Sequence, residues 1–150
     1  MLNFDIIVLK ADIMKEVEKT TTYTGNKTEV ANQAVFHDRV ATTSTDSDLL
    51  QRYWRDACAH LVDSLRAFIV NAQFGQETLR LTLEVSGSYD EALTPAVENG
   101  IFSHIAAAIT ARWFAITFPD RAEEWRLNAL ALFDCVLANL YYRKKPKRAL

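Results

Sequence analysis

Apolar residues recur at three- and four-residue spacing from Asp46 to Val70: Leu49, Leu50, Tyr53, Trp54, Ala57, Cys58, Leu61, Val62, Leu65, Phe68 and Ile69. On a helix these positions form one stripe, so the pattern predicts an amphipathic helix. Thr45, Asp46 and Ser47 are good N-cap residues, Asp48 adds negative charge in the first turn, and Gly75 lies just beyond the expected end. The period then changes. Leu79, Leu81, Leu83 and Val85 alternate with Arg80, Thr82 and Glu84, the pattern of a half-buried strand, and Ser86-Gly87-Ser88-Tyr89-Asp90 supplies a turn. A strand needs a partner for its backbone. Phe4 to Leu9, with its β-branched run Ile6-Ile7-Val8, is the internal candidate, and the same strand of a neighbouring subunit is the other.

A second helix is expected from Thr94-Pro95, a cap residue with proline at the first helical position, to Phe118-Pro119, where proline forbids continuation. Val97, Ile101, Ile105, Ala108, Ile109, Trp113 and Ile116 lie on several of its faces, which makes it the central, most buried helix. A third begins at Asp120, with Glu123 placed for an acidic capping box. Trp125, Ala129, Leu132, Phe133, Val136, Leu137 and Leu140 line its inner face. The segment 10–44 is loosely patterned. Ile13, Met14 and Val17 suggest a short helix, Lys19 to Lys27 breaks the period with threonines and Gly25-Asn26, and Ala41 to Thr45 is equally loose. A polar stretch of this kind is expected to be mobile or ordered by a partner.

The expected fold is therefore a single domain over 1–150, mostly α with a minor α+β character. It is a three-helix bundle core with a small β element at about 79–85 paired with 4–9. The core is expected to hold Trp54, Leu61, Leu65, Ile105, Trp113, Trp125, Phe133 and Leu137.

Composition changes the picture in one place. At 49% hydrophobic and 24% charged the chain resembles ordinary globular proteins. Its net charge of −2 hides a polarity, because five of the seventeen basic residues fall in the last ten positions. Residues 1–142 hold twelve basic and nineteen acidic side chains, a charge of −7. A polarised surface of this kind suits docking. Tyr141, Tyr142, Arg143, Lys144, Lys145, Lys147 and Arg148 are the candidate partner-binding residues. The competing readings are helix-dipole compensation with solubility, and non-specific, salt-dependent contact with DNA. The acidic body argues against DNA as the main target.

Candidate chemistry is sparse. Asp56, His60 and Asp63 share one helical stripe and could hold a metal or relay protons, but the stripe faces away from the leucines and lacks a distant fourth ligand. His104, beside Arg112 in the apolar helix, reads as a buried histidine bonded to a neighbouring group. His37-Asp38 supports no inference. Glu123 and Glu124 are adjacent and diverge by about 100° on a helix. No HExxH, GxSxG, P-loop or CxxC arrangement occurs. The expectation is a protein without catalytic residues, metal or cofactor. Cys58 and Cys135 sit in apolar helical patterns and read as two buried, reduced thiols. Met1 to Asp5 lacks the basic region of a secretory signal. Ile101 to Phe118 is apolar enough to raise a membrane span, but His104 and Arg112 make a buried core helix the simpler reading.

Three features resemble the head–tail connector (adaptor) proteins of tailed bacteriophages and prophages. Asp46-Ser47-Asp48-Leu49-Leu50 opens a helix continuing through Asp56-Ala57 to Leu61-Val62 and Leu65. Pro95 starts an alanine- and isoleucine-rich helix ending in Arg112-Trp113-Phe114. The elements follow in the order helix, short β excursion, apolar helix, terminal helix and charged tail. The ending Leu140 to Pro146 is similar to prophage structural proteins of gut Bacteroidetes. The likeness spans about residues 45–145. It implies a structural subunit of the particle, of connector or tail-completion type, assembling as a ring around the DNA channel with portal or tail proteins as partners. Location would be the virion or the bacterial host cytoplasm, with no membrane. The alternative is a small cytosolic helical adaptor or regulatory protein that grips an acidic partner through its tail.

Overall fold

The computed structural model describes residues 1–27 and 46–146. Strand β1 (Leu2–Leu9) runs straight into helix α1 (Lys10–Lys27). Helix α2 (Ser47–Ser64) is followed by strands β2 (Ile69–Phe74) and β3 (Thr78–Val85), a one-turn 3-10 segment (Glu91–Leu93), helix α3 (Thr94–Thr117) and helix α4 (Pro119–Tyr141). The strands form one antiparallel sheet in the order β1-β3-β2. Helices predominate, as the periodicity indicates. In place of a three-helix bundle, however, four helices pack with a three-stranded sheet among the described residues.

The expected pairing of the first and third strands is present, from Leu2 opposite Val85 to Leu9 opposite Thr78. Alternation sets its two faces. Ile6, Val8, Leu79, Leu81, Leu83 and Val85 are all buried, while Asn3, Asp5, Ile7 and Leu9 of β1 are exposed. The inner face joins a single apolar core with Ile13 and Val17 of α1, Trp54 and Leu61 of α2, and Ile101, Ile105 and Ile109 of α3. Trp54 donates its indole N–H to the Gly75 carbonyl at 3.1 Å, which ties α2 to the β2–β3 turn. Lys10 completes this corner by bonding Gln51 and, at 3.3 Å, Glu77. Of the expected core, Trp125, Phe133 and Leu137 are only half-buried and pack against it from α4.

Three boundaries differ from the sequence reading. The helix expected to reach Val70 stops at Ser64; Leu65 N–H still bonds Leu61 O at 2.9 Å, and Phe68 N–H closes a turn onto Leu65 O at 2.8 Å. Ile69 to Phe74 then becomes β2, because β-branched and aromatic residues favour a strand once β3 offers a ladder. Their three- and four-residue spacing had merged them with the helix. The segment from Lys10 is helical as far as Lys27 rather than briefly so. Ile13, Val17, Thr21 and Thr24 form its buried stripe, and threonine counts as polar in a hydropathy pattern although its methyl packs. Thr21 meets its own need by donating to Glu18 O at 3.2 Å. The rest of the expected loose segment, 28–45, lies outside the described residues. Finally, α4 opens without a side-chain cap: Pro119 occupies the first turn, and Glu123 accepts from Arg126 Nε at 2.8 Å instead of capping.

Helices α3 and α4 are an antiparallel hairpin, since His104 lies against Ala129 and Phe133 while Phe114 lies against Trp125. They approach closely at Gly100, where a Cβ would lie 2.7 Å from Val136 Cγ2. Valine on a helix is held to one rotamer and cannot turn aside. Gly100→Ala is therefore expected to destabilise the protein by ~1 to 2 kcal/mol, overpacking outweighing the helix propensity that alanine adds. In a Val136→Ala background the same change should stabilise. Thermal melts of the four proteins in this cycle test the contact, and equal signs in both backgrounds would refute it.

Candidate functional site

The basic terminus begins where α4 ends. Tyr141 packs edge-on against Phe68, with ring centroids 5.0 Å apart. Tyr142 turns to extended backbone, and Arg143 forms an antiparallel bridge with Tyr89. Lys144 N–H donates to Ser88 O at 2.7 Å, and Arg143 Nη1 donates to Tyr141 O at 3.0 Å. The receiving turn is firm. Tyr89 is buried, stacks on Phe4 at 5.5 Å and shares a hydrogen bond with Thr94 Oγ1 at 3.1 Å. Burial holds its phenol above the ordinary range. The start of the tail is thus strapped to the turn after β3. Tyr141, Tyr142, Arg143, Lys144 and Lys145 are all exposed there, and Lys147 and Arg148 lie outside the described residues.

A second feature was not anticipated from the sequence. Helices α2, α3 and α4 leave a groove of about 500 Å³ between them. Its floor is alanine: Ala57 from α2, Ala108, Ala111 and Ala115 from α3, and Ala122 and Ala129 from α4. Their small side chains leave the space between the three helices unfilled. Alanines recur at 108, 111 and 115, but His104 and Arg112 share that face, so the pattern alone does not mark it as open.

Charged groups line this groove in pairs. Arg112 Nη1 donates to Asp56 Oδ2 at 2.7 Å and its guanidinium lies 4.3 Å over the Tyr53 ring. The hydrogen bond from Arg112 draws the Asp56 carboxyl below the usual carboxylate range. Glu123 is likewise lowered by its bond from Arg126. His60 Nδ1 lies 3.0 Å from Ser64 Oγ. His104 Nδ1 is 2.7 Å from Ala129 O, so Nδ1 carries the proton and donates. Burial, the larger influence, pushes the His104 pKa down.

The expected Asp56–His60–Asp63 stripe therefore divides. Asp56 turns to Arg112, and Asp63 reaches Arg66 at 3.8 Å. Among the described residues no group of three or more His, Cys, Asp or Glu side chains is placed to hold a metal. His104 has the backbone partner that its apolar setting suggested, and His37 lies outside the described residues. The cysteines differ from each other. Cys58 is buried and its thiol is pushed up to about 12 by desolvation, so it is a poor nucleophile at neutral pH, whereas Cys135 is exposed on α4 and not buried as its neighbours implied. Among the described residues no helix is long and apolar enough to cross a membrane.

Neither a protein-family model, a curated protein nor a solved structure matches this chain.

The lowered His104 pKa has a definite sign in stability. Unfolded His104 titrates near its ordinary 6.5, and the folded form takes up its proton only at lower pH. Between these values the unfolded state binds more protons, so stability falls as pH drops below about 6.5. The wild type should lose melting temperature from pH 7 to pH 5.5 more steeply than His104→Gln. Parallel profiles in denaturant or thermal titrations would show that His104 carries none of this dependence.

Proposed function

We propose that the chain is a structural subunit of a tailed bacteriophage or prophage particle, of head–tail connector or tail-completion type, acting through protein–protein assembly. The observation that supports it most is the strapped basic terminus. Arg143 and Lys144 are fastened to the Tyr89 turn through backbone contacts, so the cationic side chains start from a defined place on a body that carries −7. Preorganisation of this kind lowers the ordering cost of docking. Tyr141, Tyr142, Arg143, Lys144, Lys145, Lys147 and Arg148 would contact a neighbouring subunit or a portal or tail protein, with DNA contact secondary and non-specific. The order of elements over residues 45–145 adds the connector resemblance.

The same reading takes the protein as non-catalytic and without metal or cofactor. The ionisable groups of the groove support this, since Asp56, Glu123, His60 and His104 each engage a neighbour on the same wall or across it. Assembly would place it in the virion or, before that, in the host cytoplasm. A second reading, a small helical adaptor gripping one acidic partner through the basic terminus, draws on the same strap, which is complete within a single chain.

Replacing Arg143, Lys144, Lys145, Lys147 and Arg148 together by glutamine leaves the backbone strap in place and removes the charge. Light scattering across concentration and salt should show ring-sized assembly of the wild type that weakens with salt and is lost in the glutamine variant. Absence of any species beyond a dimer, with both proteins alike, would favour the adaptor.

A further inference from the structure

The three-stranded sheet has two edges, and they are built differently. On the β2 side the strand is six residues long and its register slips between Ile69 and Asn71, a bulge of the kind that blunts an edge. Strand β1 has eight residues, an unbroken register, no proline, no lysine and no bulge. Nothing among the described residues pairs with its outer side.

The register says which groups are open. Lys10 N–H donates to Glu77 O at 2.9 Å, continuing the pairing of Leu9 with Thr78 and Val8 with Leu79. In an antiparallel ladder hydrogen-bonded and non-bonded pairs alternate, so the even-numbered residues of β1 exchange bonds with β3. The bonds of Thr78 O and Glu84 N–H, which run to the β2 side, agree with this parity. Asn3, Asp5 and Ile7 therefore turn their N–H and C=O groups outward, Leu9 turns out its N–H while its C=O starts α1, and all four side chains are exposed.

We infer that the β1 edge is an interface for a second copy of this chain, pairing β1 with β1 antiparallel about a two-fold axis at Ile6 to make a six-stranded sheet. Faces must match, which allows only even shifts. An axis at Asp5 would set two aspartates opposite each other, and one at Ile7 would leave Asn3 without a partner. With the axis at Ile6, Asp5 faces the second copy's Ile7 and Asn3 faces its Leu9, forming about six backbone hydrogen bonds. The two Ile7 side chains become diagonal neighbours across the axis, covering apolar surface that is 53% exposed in one chain. On the outer face, Ile7 already lies beside Arg80, so Asp5 of the second copy falls in a row with a positive charge and not a negative one. Hydrogen-bond parity, face and charge thus agree on one self-complementary arrangement. It does not depend on the connector reading, and it leaves the basic terminus unused.

Equilibrium light scattering or sedimentation of the full chain tests this with two substitutions at one exposed position. With the tail glutamines in place, so that tail-dependent assembly is removed, the chain should still reach twice the monomer mass as concentration rises, and the Ile7 variants are compared in that background. Ile7→Asp places like charges opposite each other twice per dimer and should raise the dissociation constant about tenfold or more. Ile7→Lys faces Asp5 of the second copy and should leave the constant unchanged or lower it. Circular dichroism confirms that each variant is folded. A tail-glutamine chain that stays monomeric throughout, an Ile7→Asp variant that dimerises like its parent, or equal weakening by Asp and Lys would each overturn the proposal.

Discussion

A 24-residue helix with eleven buried residues distributed around its circumference has to be enclosed from all sides, and α3 imposes that requirement on everything else. One wall is α4, drawn so close that Gly100 has no room for a methyl beside Val136. Helices α1 and α2 contact α3 as well, and the inner face of the sheet joins the same apolar core. A sheet with only one apolar face and a helix with only one apolar stripe cannot fold alone, so each supplies what the other lacks. The groove is the exception. There the three helices present alanine to one another, and the enclosure stays incomplete.

How much of this was legible depended on whether chemistry and period agreed. Leucines at 79, 81 and 83 with polar residues between them announced β3 and its face. Helix α3 was recognisable as central because Val97, Ile101, Trp113 and Ile116 share no single stripe, although Ile116 itself proved exposed. Helix α1 was under-read because Thr21 and Thr24 do a core residue's work with a polar label. Strand β2 was over-read as helix because Phe68 and Ile69 keep the spacing of the leucines before them, and only β3 decides their conformation. The groove and the Tyr89–Arg143 bridge were not visible, since both arise from elements distant in sequence. Side-chain roles split in the same way: that His104 bonds a neighbour followed from its apolar surroundings, but its choice of the Ala129 carbonyl and the choice of Arg112 by Asp56 needed the helices side by side.

The electrostatics of the body are local. Asp56 with Arg112, Glu123 with Arg126, Arg121 with Glu124 and Asp63 with Arg66 are short-range pairs at partly exposed sites, each contributing little to stability. The first two of them neutralise the walls of an apolar groove. The excess negative charge lies elsewhere, and the positive charge is gathered at one terminus. The molecule therefore has two surfaces of different character, a neutral hollow among helices and a cationic strand end beside the sheet.

The pairing of β1 with β3 carries a consequence for synthesis. Leu9 meets Thr78 and Leu2 meets Val85, across a span that contains α1 and α2. On a ribosome adding about 5–20 residues per second, β1 waits roughly 4–15 s before its partner is made. The α3–α4 hairpin, joined by a single residue, forms from local contacts and closes fast once translated. An eight-residue, mostly apolar strand emerges well before β3 and is satisfied late. Nascent chains on neighbouring ribosomes of one message would hold that strand free at the same time, so the crowding of a polysome, more than the finished protein, is where mispairing of this edge carries its greatest risk.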